Sequence, residues 1–187
     1  SVHCDLCLVL DASGSMDEPF CAGASVTKRK ATMDAAKQVV SHLEAGDTIS
    51  LVFYDSRAYR VASLVQGDRK DEIRKKIETL ENFSGATDFE AALNTARDVL
   101  ARGKNASKRI VFLTDGQPSS GDQGAAENIV RQLSRQGVTV DCLGIGKDFD
   151  FHRMRKLSGV SNGRTFLLGS PEEADSRFAE LLHGAQK

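Results

Sequence analysis

The sequence has no tryptophan, two tyrosines, three prolines and four cysteines among its 187 residues. Its longest apolar runs, such as Ile110 to Leu113, reach about five residues, whereas a bilayer-spanning helix needs about 20. A membrane span is therefore not expected. Charge of one sign is missing too: 25 basic and 26 acidic side chains leave a formal net charge of −1. That balance argues against a dedicated nucleic-acid binder, whose affinity comes from surplus Lys and Arg meeting phosphates. It argues equally against a polybasic membrane anchor.

Cysteine is too sparse for a disulfide scaffold. Cys4 and Cys7 form a C-x-x-C, but on a strand these positions point to opposite faces. No second C-x-x-C or H-x-x-x-H follows to complete a zinc site. Cys7 and Cys142 read as buried apolar residues, and the set leans to a reducing compartment such as the cytoplasm. Low proline, no Gly-rich stretch and no internal repeat leave no room for a linker. With 40% hydrophobic residues, the chain is expected to bury one core, as a single domain over residues 1–187.

What is present is alternation. Leu6 to Leu10 is a continuous apolar run, the mark of a strand buried on both faces. A helix is expected from Lys28 to Leu43, with Ala36, Val39, Val40 and Leu43 on one stripe and Gly46 beyond its end. Ile49 to Tyr54 and Tyr59 to Val65 read as an antiparallel hairpin turned by Asp55-Ser56-Arg57. Helices at 71–80 and 89–100, a strand at 109–114, a helix at 125–135 and a strand at 138–145 follow. A short helix at 151–157 and a strand at 164–168 come next. A last helix is expected to start with Ser170 as N-cap and Pro171 in its first position. The pattern implies an α/β fold: a doubly wound, mostly parallel six-stranded sheet with one antiparallel edge strand and helices on both faces.

In such sheets, ligands bind beyond the carboxyl ends of the strands. Asp11-Ala12-Ser13-Gly14-Ser15 follows the first strand. Thr114-Asp115-Gly116 follows the strand from Arg109. The loop Asn82 to Asp88 carries Thr87 toward the same edge. Asp11, Ser13, Ser15, Thr87 and Asp115 offer oxygen and neither nitrogen nor thiolate. That set suits a hard cation, Mg²⁺ or Mn²⁺, over zinc. Two carboxylates balance the charge of a divalent ion and the hydroxyls add none, so the metal stays electrophilic toward an outside anion.

These segments resemble the von Willebrand factor A domain along nearly the whole chain. LVLDASGSM is similar to that family's first strand and metal loop, SGATDFEAAL to its threonine loop and following helix, and IVFLTDG to its third loop. VDCLGIG resembles its strand ending in Gly-x-Gly. The resemblance is closest to the branch found in bacterial proteins, inter-α-trypsin-inhibitor heavy chains and plant RING-type proteins. It implies a Rossmann-like sheet with a metal-ion-dependent adhesion site. Ser13 and Ser15 would bind metal directly, Asp11 and Asp115 directly or through water, and Thr87 directly in the ligand-bound state. It also implies a protein partner that completes the metal shell with a Glu or Asp carboxylate, as in cell adhesion, by a domain that is monomeric when isolated. The Asp17 to Lys30 stretch is longer than that branch suggests and is expected to form a small lid or partner contact. Specificity is expected in the loops 16–24, 82–86 and 117–124.

Other residues read more plainly. Asp88 suits the N-terminus of the helix from Phe89 or a supporting role behind Thr87. Asp55 reads as a turn residue, and Asp5 as an acid paired near the sheet's lower edge. Gly144-Ile145-Gly146 lacks the third glycine of a dinucleotide loop. The basic runs Lys28-Arg29-Lys30 and Arg74-Lys75-Lys76 read as solvated helix faces. The four histidines have no ligand spacing. An enzyme is not expected: a Mg²⁺-dependent phosphohydrolase of the dehalogenase type needs a second Asp where Ser13 stands, and G-x-S-x-G is absent. A scaffold or adaptor role in a larger ATPase or ubiquitin-ligase machine would use the same metal site.

Overall fold

A computed structural model of the chain describes residues 2–82, 85–116, 123–170 and 172–186. The elements run β1 (Cys4–Asp11), α1 (Lys28–Ser41), β2 (Thr48–Tyr54), β3 (Ala58–Gln66), α2 (Lys70–Glu78) and α3 (Phe89–Leu100). They continue with β4 (Ser107–Thr114), α4 (Gln123–Arg135), β5 (Val138–Ile145), α5 (Phe151–Gly159), β6 (Thr165–Leu168) and α6 (Glu173–Gln186). The six strands form one sheet in the order β3-β2-β1-β4-β5-β6. Every pairing is parallel except β2 with β3. This is the expected α/β fold, with the hairpin strand at the edge.

Period-two alternation divides each central strand between two cores. Leu6, Leu8 and Leu10 of β1 face the same side as Ile49, Leu51, Val111, Leu113 and Leu143, under α1, α2 and α6. Cys7 and Val9 face the other side with Ile110, Phe112, Val140 and Cys142, under α3, α4 and α5. All eight residues of β1 are buried, which is why Leu6 to Leu10 between its two aspartates is apolar without alternation. Each fully buried Leu or Ile stabilises the fold by roughly 1.5–3 kcal/mol. Cys4 and Cys7 fall in opposite cores as strand geometry requires, and all four cysteines are free.

Three expectations need correction. The helix expected over 71–80 ends at Glu78 and tightens into a 3₁₀ turn over Thr79–Asn82. The last helix starts at Glu173, later than expected. The Gly169 N–H donates to the Glu173 carboxylate at 3.1 Å and Glu173 N–H to the Ser170 carbonyl at 3.2 Å, so a turn precedes the helix. Pro171 lies outside the described residues. Finally, Lys28 and Arg29 are buried at 2% and 5% exposure and are not a solvated face. Of the other basic run, Lys75 is exposed and Arg74 and Lys76 are half-buried.

β1 is the switch point of this topology. Its neighbours are β2 on one side and β4 on the other, so the loops leaving β1 and β4 diverge and open a crevice above the sheet. No helix among the described residues is long and apolar enough to cross a membrane.

Candidate metal centre

Asp11 ends β1 and Asp115 follows β4, and both carboxylates are fully buried at that crevice. A chain of oxygens connects them. Asp11 Oδ1 accepts from the Ser13 N–H at 2.9 Å and from the Ser13 hydroxyl at 2.5 Å. The Ser13 and Ser15 hydroxyls are 3.1 Å apart. The Ser15 hydroxyl donates to Asp115 Oδ2 at 2.5 Å. On its far side, Asp11 Oδ2 accepts from the Thr114 hydroxyl at 2.8 Å, which itself accepts from the Gly116 N–H at 2.9 Å. Four of the five expected ligand residues thus lie in one run of oxygens, in which each serine hydroxyl gives its proton to its own carboxylate and the Ser13–Ser15 step is an oxygen–oxygen contact.

Thr87 belongs to a loop fastened to the same place. Gly14 N–H donates to the Gly85 carbonyl at 2.9 Å, and Asp88 N–H to the Asp55 carbonyl at 2.8 Å. Thr87 is 2% exposed between these ties. Gly85 has φ +154, and a Cβ there would come within 2.9 Å of Asp55 Oδ2, so only glycine fits without displacement. Asp55 is therefore more than a turn residue. Its Oδ1 accepts from the Arg57 N–H at 2.9 Å while its backbone anchors the threonine loop. Asp88 caps α3, accepting from the Ala91 N–H at 3.2 Å. Of the loops expected to set specificity, residues 83, 84 and 117–122 lie outside the described residues.

Burial pushes the Asp11 carboxyl up to about 6, and the charge of Asp115 pushes in the same direction. The hydrogen bonds from Ser13 and Thr114 oppose the rise. Among the described residues no ion pair reaches Asp11. Two buried carboxylates joined by hydroxyls, one of them raised by the other's charge, are what a divalent cation relieves. The donor chemistry fits a hard ion: oxygen only, with no His or Cys in the network. Among the described residues, no group of three or more His, Cys, Asp or Glu gathers as an alternative cage.

Two basic residues behind the site were missed in the sequence. Arg29 donates to the Ser13 carbonyl at 3.3 Å, to the Leu80 carbonyl at 3.2 Å and to Asp17 at 2.9 Å, bracing the first loop from below. Lys28 Nζ stands 3.6 Å from Asp115 Oδ2 and 3.1 Å from Glu18 Oε1. The signal was helical spacing. Lys28, Thr32, Ala35 and Val39 recur at the period of a buried stripe, as do Arg29, Met33, Ala36 and Val40, and all eight are buried. The charge of the run hid its phase.

The stretch 17–27 forms a compact excursion beside the site. Pro19 and Thr27 make an isolated antiparallel bridge. Phe20 N–H donates to Val26 O at 2.8 Å, and Lys28 N–H to Glu18 O at 2.9 Å. A cavity of about 270 Å³ lies between it and Lys147 and Asp148, with Cys21 and Lys28 in its wall.

Fold and site together define a class: mostly parallel α/β domains with an oxygen-rich crevice where the loop after the first strand meets the loop after the fourth. The chain belongs to the von Willebrand factor type A domain family, whose sequence profile it matches over residues 5–180. An uncharacterized protein of Synechocystis sp. is 30% identical over 180 residues, covering 95% of this chain and 40% of that protein. Inter-alpha-trypsin inhibitor heavy chain H2 of Sus scrofa is 26% identical over 190 residues, covering 96% of this chain and 20% of that protein. The chain thus spans less than half the length of these relatives. Among solved structures, von Willebrand factor type A from Catenulispora acidiphila superposes with a TM-score of 0.83 at 24% identity, over 99% of this chain and 43% of that one. The manganese-loaded Plasmodium vivax TRAP protein does so with 0.71 at 19% identity, over 93% and 71%. Both likenesses show the fold.

Proposed function

We propose that this chain is a metal-dependent protein-interaction module. Asp11, Ser13, Ser15, Thr87 and Asp115 hold Mg²⁺ or Mn²⁺, and a Glu or Asp carboxylate of a partner protein completes the shell. The observation that carries the reading is the unbroken oxygen chain Asp11–Ser13–Ser15–Asp115 at the switch point. A hard cation, when bound, supplies a Lewis-acid centre for an incoming anion. The residues do the rest. Ser13 and Ser15 set the spacing between the carboxylates, Thr114 holds Asp11 from behind, and Gly14 and Gly85 keep the threonine loop against the first loop. Two further points support the reading: a manganese-loaded neighbour shares the fold, and domains of this family are in general non-enzymatic interaction modules.

A phosphohydrolase reading has less support. The position that needs an acid carries Ser13, whose hydroxyl is committed to Asp11. Adhesion and a scaffold role in a larger machine share this site and differ in the domains around it.

The test is titration calorimetry of the chelator-treated protein with Mn²⁺, beside pull-downs from source lysate. Wild type is expected to bind one Mn²⁺ and to recover a partner only with Mg²⁺ or Mn²⁺ present. Asp11→Ala is expected to lose both. Equal partner recovery with metal, with chelator and by Asp11→Ala would overturn the metal bridge. Turnover of phosphate esters that Asp11→Ala abolishes would favour the enzyme.

A further inference from the structure

The two carboxylates of the site are not alike. Asp115 Oδ2 has the Lys28 ammonium 3.6 Å away, whereas no ion pair reaches Asp11 among the described residues. The Lys28 side chain is 3% exposed; its ammonium donates to Glu18 Oε1 at 3.1 Å, on a side chain that is 56% exposed, and pairs with Asp115 by charge alone. The stem is guided. Gly146 at the end of β5 has φ +88, and a Cβ there would come within 2.7 Å of Lys28 Cε. The backbone bond from Lys28 N–H to Glu18 O fixes the other side of the passage. A buried lysine aimed at one ligand of a divalent ion changes the local charge count. Without metal, Asp11, Asp115 and Lys28 sum to −1. With a divalent ion they sum to +1.

We infer that Lys28 is a built-in counter-cation of the site: it lowers the affinity for metal and leaves the loaded site positive toward a partner's carboxylate. The inference rests on the metal reading above and adds a residue that sets its strength. Without Lys28 the loaded site would be electroneutral and would attract an anion less. Glu18 gives the ammonium somewhere to remain when Asp115 turns to the metal. Being largely solvated, Glu18 adds little field of its own at the crevice.

The test is Mn²⁺ titration calorimetry on chelator-stripped wild type, Lys28→Met and Glu18→Gln. It is paired with acetate titration of each Mn²⁺-loaded protein, followed by water-proton relaxation. Lys28→Met is expected to bind Mn²⁺ about tenfold tighter and acetate several-fold more weakly, from removal of one like charge near the ion. Glu18→Gln is expected to bind Mn²⁺ about threefold more weakly, since the ammonium then belongs to Asp115 alone. Opposite shifts in metal and acetate affinity are not what a merely structural lysine would give. Unchanged or weaker Mn²⁺ binding by a folded Lys28→Met overturns the inference and leaves the metal reading standing. If Lys28→Met does not fold, unchanged Mn²⁺ binding by Glu18→Gln overturns it instead. A wild type that binds no Mn²⁺ overturns both.

Discussion

Asp5 and Asp11 stand at the two ends of β1, and neither is exposed to solvent. At the lower end the protein supplies its own answer to the charge. Asp5 accepts from the Lys108 ammonium at 2.9 Å, the Thr48 hydroxyl at 2.8 Å, the Asn105 N–H at 3.1 Å and the Asn105 amide at 2.9 Å. Those bonds tie the start of β1 to β2 and to the α3–β4 loop. At the upper end Asp11 receives only hydroxyls and a backbone N–H, and faces a second carboxylate. A buried acid matched by a cation and several donors is a structural fastening. One set opposite another acid is an invitation to a cation from outside.

The comparison breaks first at the lower end. Asp5→Ala leaves the Lys108 ammonium only the Gly103 and Asn105 carbonyls and takes the acceptor from the Thr48 hydroxyl and the Asn105 N–H, and is expected to cost about 3 kcal/mol in urea unfolding. In chelator, Asp11→Asn is expected to match or exceed wild-type stability, because it removes a charge that burial disfavours. Equal losses at both ends would show that the two acids do the same job.

Metal is the next lever. Mn²⁺ at about 100 times its dissociation constant is expected to stabilise wild type by about 2.7 kcal/mol. Asp11→Asn should show none of this, and Asp5→Asn should retain it. Thermal unfolding with and without chelator reads the difference.

The pH dependence sharpens the contrast further. Asp11 is raised in the folded state from 3.8 to about 6, so the folded protein holds that proton more tightly than the unfolded chain. This group's contribution to the stability of the metal-free protein therefore falls as pH rises from about 4 through about 6. Asp11→Asn should remove that slope. Mn²⁺ affinity should move the opposite way, weakening below about pH 6 as protons compete for Asp11. A flat affinity between pH 5 and pH 7 would count against Asp11 as a ligand.

Much of this was legible in the sequence, for definite reasons. A strand buried on both faces has a continuous apolar run, so β1 and β4 announced themselves, and the polar residues just beyond them had to lie at the sheet's carboxyl edge. Asp11, Ser13, Ser15 and Asp115 needed only that topology to converge. Lys28 did not declare itself because charge at the first turn of a helix normally means solvent; only its phase with Thr32, Ala35 and Val39 gave it away. The second role of Asp55 was invisible because it works through a backbone carbonyl, which residue identity does not reveal. Ser-Pro-Glu-Glu carries the signature of a helix start two residues ahead of α6, whereas the Gly169 N–H and the Ser170 carbonyl bond to Glu173 ahead of the helix.

The smallest expected effect concerns the cysteines nearest the two poles. Cys4 at the lower end is buried and its thiol is raised to about 11, whereas Cys21 beside the crevice is exposed. Burial also raises Cys7, to about 12, and Cys142. Iodoacetamide is expected to label Cys21 alone in the native protein and all four cysteines in denaturant, as mass spectrometry would read. Native labelling of Cys4 would mean that the lower pole opens more readily than its fastening implies.

The closed neck of the 17–27 excursion has a consequence for engineering. The Pro19–Thr27 bridge, the two backbone bonds beside it and the buried Phe20 ring make its base independent of its tip, where residues 21–23 are exposed. Each doubling in length of such a flexible tip costs only about 0.6 kcal/mol of closure entropy. Foreign peptide grafted there would be displayed next to the crevice without disturbing the sheet, so this turn is where new recognition is most cheaply installed.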